Sequence, residues 1–262
     1  MRRLLLALAV VVGLVVPNES ALIGALKFTN GSNQYVLAPA SSTLNNLNTV
    51  TVVMWASVTT LVPAAQRNFF GKALGNNNWV GYLNAAGVQA AYGRVSGTGA
   101  LAAAPTSNFA AVATNVTLFW AFQSDINTTA NNRVLIGSLT MPASEPSSYT
   151  AGTPRTGSGS HDDSGSQMTI GNGSGGGTTN TLPGTIYTFQ AFGRILSTGE
   201  IRELQYRWRP RYAGCVLSYR IGASGPANVR DECNNHLHAT VSGSPPLTGD
   251  VLPRVMFARP GL

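Results

Sequence analysis

Charge is scarce in this 262-residue chain: Asp, Glu, Lys and Arg together make up 10% of it, well below the usual quarter. Asn, Ser, Thr and Gly supply most of the polar surface instead, as in many secreted or assembled β proteins. Acids are scarcest, ten in all, and no two of them stand two or four residues apart. Glycoside hydrolysis on a β scaffold needs two facing carboxylates, commonly at i and i+2 or i+4 of one strand, so that chemistry has no candidate dyad. The close pairs are Asp162 with Asp163, Glu200 with Glu203, and Asp231 with Glu232, in a glycine-rich loop, a helix and a cysteine loop. The three histidines, His161, His236 and His238, fall in loop-like stretches and no G-x-S-x-G elbow occurs, which leaves a Ser-His-Asp arrangement unsupported as well. Neither C-x-x-C nor H-x-x-x-H is present, so there is no zinc-type ligand pattern. Taken together, these absences predict a protein that is not an enzyme.

Other absences narrow the class further. Strands do not alternate with helices, which disfavours a nucleotide-binding α/β fold. The glycine run "GNGSGGG" at 171–177 is followed by no Lys-Ser/Thr, so it reads as a loose hairpin tip rather than a phosphate loop. The 17 basic residues give a net charge of +7, yet they are spread along the chain. Only "RWRPR" at 207–211 is concentrated, and it reads as the solvated end of a helix that Pro210 stops. No nucleic-acid partner is expected.

What is present is period two. In "VTVVMWASV" at 50–58, Val50, Val52, Met54, Ala56 and Val58 share one face while Thr51, Val53, Trp55 and Ser57 share the other. That is the pattern of an inner strand of a sandwich. Similar runs recur at "ALKF", "QYVLA", "NFFGKA", "NWVGYLNA", "VQAAYGRV", "TLFWAFQSD", "NRVLIGSLTM", "QMTIGN", "GTIYTFQAFGRIL" and "CVLSYRI", separated by turn chemistry such as "TNGSN", "LGNNN" and "INTTANN". About a dozen short strands predict an all-β, antiparallel two-sheet jelly-roll sandwich.

One segment breaks the pattern. "GRILSTGEIRELQYRW" at 193–208 reads as a short α-helix on the C-terminal side. Ser197 followed three residues later by Glu200 is a capping box rather than a catalytic pair. Ile201, Leu204 and Trp208 form the stripe that docks on the sandwich, leaving Arg202, Glu203 and Arg207 to solvent.

The chain opens with "MRRLLLALAVVVGLVVPNESA", in which thirteen apolar residues run from Leu4 to Val16. That is short for a membrane span and right for the core of an export signal. The alternative is a strand or anchor buried in an assembly. Export predicts a disulfide between Cys215 and Cys233, adding about 3 kcal/mol by restricting the unfolded chain; the alternative is two buried free thiols. Sequons at Asn18, Asn30, Asn115, Asn127 and Asn172 are glycosylation acceptors if the host is eukaryotic.

The run "PGTIYTFQAFGRILSTGEIREL" resembles the strand, turn and helix that close laminin-G-like domains of the concanavalin A-like superfamily. "ALKFTNGSNQYVLAP" resembles that family's opening strand pair, "NTVTVVMWASV" a following strand, "TLFWAFQSDINTTANNRVLIGSLT" its tryptophan hairpin and "MTIGNG" its L-x-I-G strand. The matches fall in the family's order from about residue 25 to 207, although "FWAFQSD" lacks the usual histidine-valine and the loop at 142–166 is long. The stretch "VRDECNNHLHATVSG" resembles one that often flanks such domains, with Cys233 in place of serine. Three regions follow: a signal-like segment at 1–20, a laminin-G-like sandwich at 21–208, and a C-terminal extension at 209–262 that returns to the sandwich edge.

The resemblance implies a non-catalytic extracellular recognition or adhesion module for a glycan or a protein, sometimes acting through calcium. Fold alone does not fix activity. Trp79 beside Asn76, Asn77 and Asn78 has the stacking ring and amides that a sugar site uses. Asp162 and Asp163 offer hard oxygens to calcium, though too few for tight binding unaided; no cofactor is required. The alternative function is a structural subunit of a virion, extracellular filament or matrix, in which the tail "VLPRVMFARPGL" at 251–262 buries Val255, Met256 and Phe257 against a neighbour.

Overall fold

The computed structural model describes residues 24–60, 67–72, 79–83, 90–95, 106–108, 114–125, 127–145, 149–150, 163–173, 176–209, 211–221, 228–248 and 252. Among them are sixteen strands, one α-helix and two single 3-10 turns. In chain order the strands are β1 (Ala25–Phe28), β2 (Tyr35–Ala38), β3 (Thr49–Val58), β4 (Arg67–Lys72), β5 (Trp79–Leu83), β6 (Ala90–Val95), β7 (Thr106–Asn108), β8 (Thr117–Asp125), β9 (Arg133–Gly137), β10 (Tyr149–Thr150), β11 (Met168–Ile170) and β12 (Gly184–Phe192). The helix α1 (Thr198–Tyr206) follows, and then β13 (Cys215–Arg220), β14 (Asn228–Val229), β15 (Ala239–Ser242) and β16 (Leu247–Thr248).

All the ladders between these strands are antiparallel, and they form two sheets. A seven-stranded sheet runs β16-β1-β12-β3-β8-β9, with β13 also on β12; a nine-stranded sheet runs β10-β7-β6-β5-β4-β11-β2-β15-β14. β3 pairs with β12 along its whole length, so β1 and β13 share the opposite edge of β12 end to end. The fold is therefore an all-β sandwich with a single short helix.

The two faces of β3 go where its alternation sends them. Val50, Val52, Met54, Ala56 and Val58 join the inter-sheet core with Phe28, Phe69, Phe70, Trp120, Phe122 and Phe189. Val53 and Trp55 join a second apolar layer on the outer face of the seven-stranded sheet, with Phe119, Phe192, Leu196, Ile201 and Leu204. α1 covers that outer layer, so β3 is buried on both faces, as the mixed character of its second face requires. Trp55 Nε1 donates to Gln205 O, locking the strand to the helix at 3.3 Å.

The capping box forms as the Ser197–Glu200 spacing predicts: Ser197 Oγ accepts from Glu200 N–H, and the Glu200 carboxylate accepts from Ser197 N–H at 2.8 Å. The buried stripe differs in its third member. It is Ile201, Leu204 and Gln205, because the helix ends at Tyr206 and places Trp208 beyond it, half-buried with Nε1 donating to Glu232 Oε2 at 2.8 Å. Arg207 and Arg209 lie against Glu203 rather than standing free at the helix end.

Residues 215–248 supply strands to both sheets: β13 on β12, β16 on β1 and β15 on β2. Cys215 and Cys233 form a disulfide across a separation of 18 residues. Inside that loop the buried Asp231 carboxylate accepts from the N–H groups of Ser218, Cys233 and Leu237.

Candidate functional site

A row of four residues crosses the outer face of the seven-stranded sheet at the end away from the cap of α1. Lys27 on β1 stands opposite Thr185 on β12, Thr185 opposite Ser57 on β3, and Ser57 opposite Thr117 on β8. Directly opposed residues put their side chains on the same face, so one ammonium and three hydroxyls line up across four strands, a span of about 14 Å at the usual strand spacing. The same alternation that sends Leu26, Ile186, Ala56 and Leu118 into the core sends these four outward.

A β-bulge shapes the floor beside the row. Between Ile186 and Thr188 the register of β12 on β3 shifts, so Ile186 and Phe189 stay inside while Tyr187 and Thr188 both emerge on the outer face. Bulges commonly re-aim a side chain in this way. Tyr187 OH lies 3.4 Å from Thr117 Oγ1.

The row forms the bottom of an open groove of about 810 Å³. One wall is Thr59 with Asn115 and Val116, at the approach to β8; the other is the turn Ser138–Leu139–Thr140 after β9. Helix α1 holds that second wall. Gln205, buried, donates from Nε2 to the carbonyls of Ser138 and Met141 at 2.7 Å each, and its Oε1 accepts from Ala143 N–H at 2.6 Å. Ser138 Oγ closes the turn from within by accepting from the N–H groups of Thr140 and Met141. The sequence pattern gave no sign of this clamp, because a lone Gln on a helix looks like a solvated residue.

The groove is lined by hydroxyls, one amide and one ammonium, with Val116 and Leu139 as partly exposed apolar patches. No carboxylate or imidazole is among its lining residues. No hydrogen bond or ion pair ties the side chains of Lys27, Ser57 or Thr185 to another described residue. Polar groups on a recessed floor without protein partners are available to a ligand.

The described carboxylates are engaged elsewhere. Asp125 accepts from the N–H groups of Asn127 and Thr128, Glu145 pairs with Arg133, Glu203 with Arg209, and Glu232 with Arg220. Glu200 takes a two-point contact from the Arg194 guanidinium, which with the Ser197 bonds lowers its pKa to about 2.

Asp163, considered with Asp162 as a calcium ligand, is not in a solvated loop. Its Oδ2 lies 2.8 Å from Lys72 Nζ with both side chains fully buried, and its Oδ1 accepts from Asn46 N–H at 2.7 Å. Lys72 therefore occupies the place a cation would take, and a calcium ion would have to displace it. Asp162 lies outside the described residues, and among the described residues no cluster of three or more His, Cys, Asp or Glu could hold a metal.

Trp79 opens β5 in the nine-stranded sheet, paired with Lys72 and Val95, on a different sheet from the groove. Its neighbours Asn76, Asn77 and Asn78 lie outside the described residues. Of the sequon asparagines, Asn30, Asn115 and Asn127 are exposed. Asn172 is a correction: it is fully buried, and its Nδ2 donates to Gln34 O, Gly177 O and Thr181 Oγ1, so its amide is not accessible to a glycan. Asn18 and His161 lie outside the described residues.

No family model and no curated protein matches this chain. Among solved structures, a Bacteroides ovatus protein provisionally described as carbohydrate-binding aligns with a TM-score of 0.53 and 15% identity over 86% of this chain. The likeness is one of fold. This chain spans 58% of that protein's length. The SAP-like pentraxin of Limulus polyphemus, a heptamer, aligns at 0.46 and 12% identity over 70% of this chain and 82% of its own. The binding domain of botulinum neurotoxin serotype G aligns at 0.42 and 12% identity over 68% of this chain and 41% of its own. The last two scores fall below 0.5, so the assignment rests on the sandwich itself and on the first alignment, which are consistent with a concanavalin A-like fold.

Proposed function

We propose that this chain is a non-catalytic recognition module of the laminin-G-like kind that holds a glycan in the groove across its seven-stranded sheet. The observation that carries the reading is the row Lys27–Thr185–Ser57–Thr117 on a recessed floor that has no acid to do chemistry, in which Lys27, Thr185 and Ser57 have no described side-chain partner and Thr117 meets only Tyr187 OH. Hydroxyls that both donate and accept suit sugar hydroxyls, and Val116 with Leu139 offers contact to the apolar face of a ring. The disulfide supports an oxidising compartment, and hence a secreted, extracellular protein.

A glycan array followed by titration of the full chain tests this. Thr185→Val keeps the side chain's shape and removes the hydroxyl; with Lys27→Met, it is expected to weaken binding about tenfold per lost hydrogen bond while leaving the melting temperature within a few degrees. Binding that survives both substitutions, or no binding on the array, overturns the assignment. Trp79→Ala is the companion variant. If it alone abolishes binding, the sugar site is at the start of β5, where Trp79 with Asn76–Asn78 was expected to form it.

A second reading has its own support: Val116, Leu139 and Met141 are partly exposed apolar side chains on the groove's rim and the adjoining turn, which suits a protein partner or the packing of a structural subunit. Concentration-dependent association in size-exclusion chromatography, lost on Met141→Glu, would favour that reading over the glycan.

A further inference from the structure

Strand β4 carries a cation near each end, and both point between the sheets. Lys72 is directly opposite Met168, and Arg67 directly opposite Leu83; both partners belong to the inter-sheet core. The two cations are treated differently. Lys72 is neutralised by the buried Asp163 carboxylate, with Asn45 Oδ1 and Asp163 O as further acceptors. Arg67 is 8% exposed, yet no ion pair joins it to any described carboxylate.

Its guanidinium is partly satisfied. Nη1 donates to the carbonyl of Thr179, while Nε is buried and meets no acceptor. The segment around Thr179 is fixed beside it, since Asn68 N–H donates to Asn180 O and Asn68 bridges to Thr181. A guanidinium stays protonated, and a buried charge without a counter-charge costs several kcal/mol. Burial accordingly lowers the Arg67 pKa, with no opposing carboxylate to raise it.

The structure assigns to this end of β4 an oxyanion site, in which Arg67 takes two oxygens of a carboxylate, sulfate or phosphate along its Nε–Nη2 edge while Nη1 remains anchored on Thr179. Side-on, two-point contact is the geometry that guanidinium offers such groups and that a lysine cannot reproduce. The anion supplies here what Asp163 supplies to Lys72. Its source is either a free inorganic anion or the acidic group of a sugar, and the site is distinct from the groove, which Arg67 does not line.

Thermal unfolding of the full chain tests the assignment, in sodium sulfate, sodium phosphate and sodium glucuronate, each against sodium chloride of equal ionic strength and with glucose as the neutral control. The wild type is expected to show a saturable rise, about 5–10 °C at a hundredfold excess over Kd. Arg67→Met is expected to lose that rise and to melt no lower than the wild type in chloride, because it removes an uncompensated buried charge. Arg67→Lys is expected to keep only part of the rise. Saturation by glucuronate at lower concentration than by sulfate assigns the anion to an acidic sugar; the reverse order assigns it to a free anion. Equal shifts of the wild type in sulfate and chloride overturn the proposal without recourse to any variant, as does a sulfate response retained by Arg67→Met. Thr185→Val, in the groove, leaves the anion response unchanged, so failure of the glycan reading and failure of this one are separable.

Discussion

Lys72 and Asp163 form a buried ion pair that the rim of the sandwich is built around. Asn46 clasps Asp163 from both sides, its backbone N–H on Oδ1 and its own Oδ1 accepting from Asp163 N–H at 3.0 Å. The strain of Asn46 at a φ of 56° is tolerated because Asn is among the residues that visit this region most readily. Removing one charge of a buried pair strands the other, which costs about 3–5 kcal/mol, whereas replacing both with apolar groups of similar volume is often neutral. Lys72→Met and Asp163→Leu are therefore each expected to lower stability by about that amount, and the double variant to recover most of it, in urea unfolding of a double-mutant cycle. Additive losses would mean that the pair's partners, not the charges, carry the rim. None of this was legible at the residue itself: "HDDSGS" looks like a solvated acidic loop, and the lysine that answers Asp163 is 91 residues away in sequence.

At the scale of the element, α1 shows what local sequence can and cannot reveal. The capping box was readable because all its partners lie within four residues, and the pair Arg194–Glu200 extends it at 2.7 Å. Hydrogen bonds from Arg194 and Ser197 hold the Glu200 carboxyl at about 2, below its ordinary 4.5. A depressed carboxylate stabilises the fold above its unfolded pKa and ceases to do so as pH falls through the folded one. Stability is thus expected to decline between about pH 4.5 and 2, and Glu200→Gln to remove that part of the slope, when unfolding free energy is followed against pH. Ser197→Ala should cost about 1 kcal/mol through the lost cap. Gln205 was unreadable for the opposite reason: its partners are the carbonyls of Ser138 and Met141 and the N–H of Ala143, which only the tertiary fold brings to it. Gln205→Ala leaves the buried Ala143 N–H and the part-buried Ser138 carbonyl without this partner, while the Met141 carbonyl keeps Ser138 N–H, so a loss of about 1–3 kcal/mol is expected, together with weaker groove binding as the turn at 138–141 loosens.

For the molecule as a whole, the long strands were legible and their allocation was not. β3, β8 and β12 have nine or ten residues each with strong apolar content, and β8 begins and ends where "TLFWAFQSD" does. β7, β10, β14 and β16 have two or three residues, too few for a period to register, and exist only because a longer neighbour offers an edge. The groove depends on which strands become neighbours, so its residues, scattered from Lys27 to Tyr187, could not be assembled from spacing. The disulfide, by contrast, was readable from count and compartment, and it bears on how residues 215–248 are held. Closing a loop of this length restricts the unfolded chain by about 3 kcal/mol. Cys215→Ala with Cys233→Ala is expected to lower the melting temperature by roughly 6–12 °C, and reduction of the wild type to match it. A drop of less than about 3 °C, equivalent to roughly 1 kcal/mol, would instead show that the three hydrogen bonds to Asp231 hold the loop unaided. Glycan binding by the reduced protein then reports whether the C-terminal strands support the groove, since β16 lies against β1 and β1 carries Lys27.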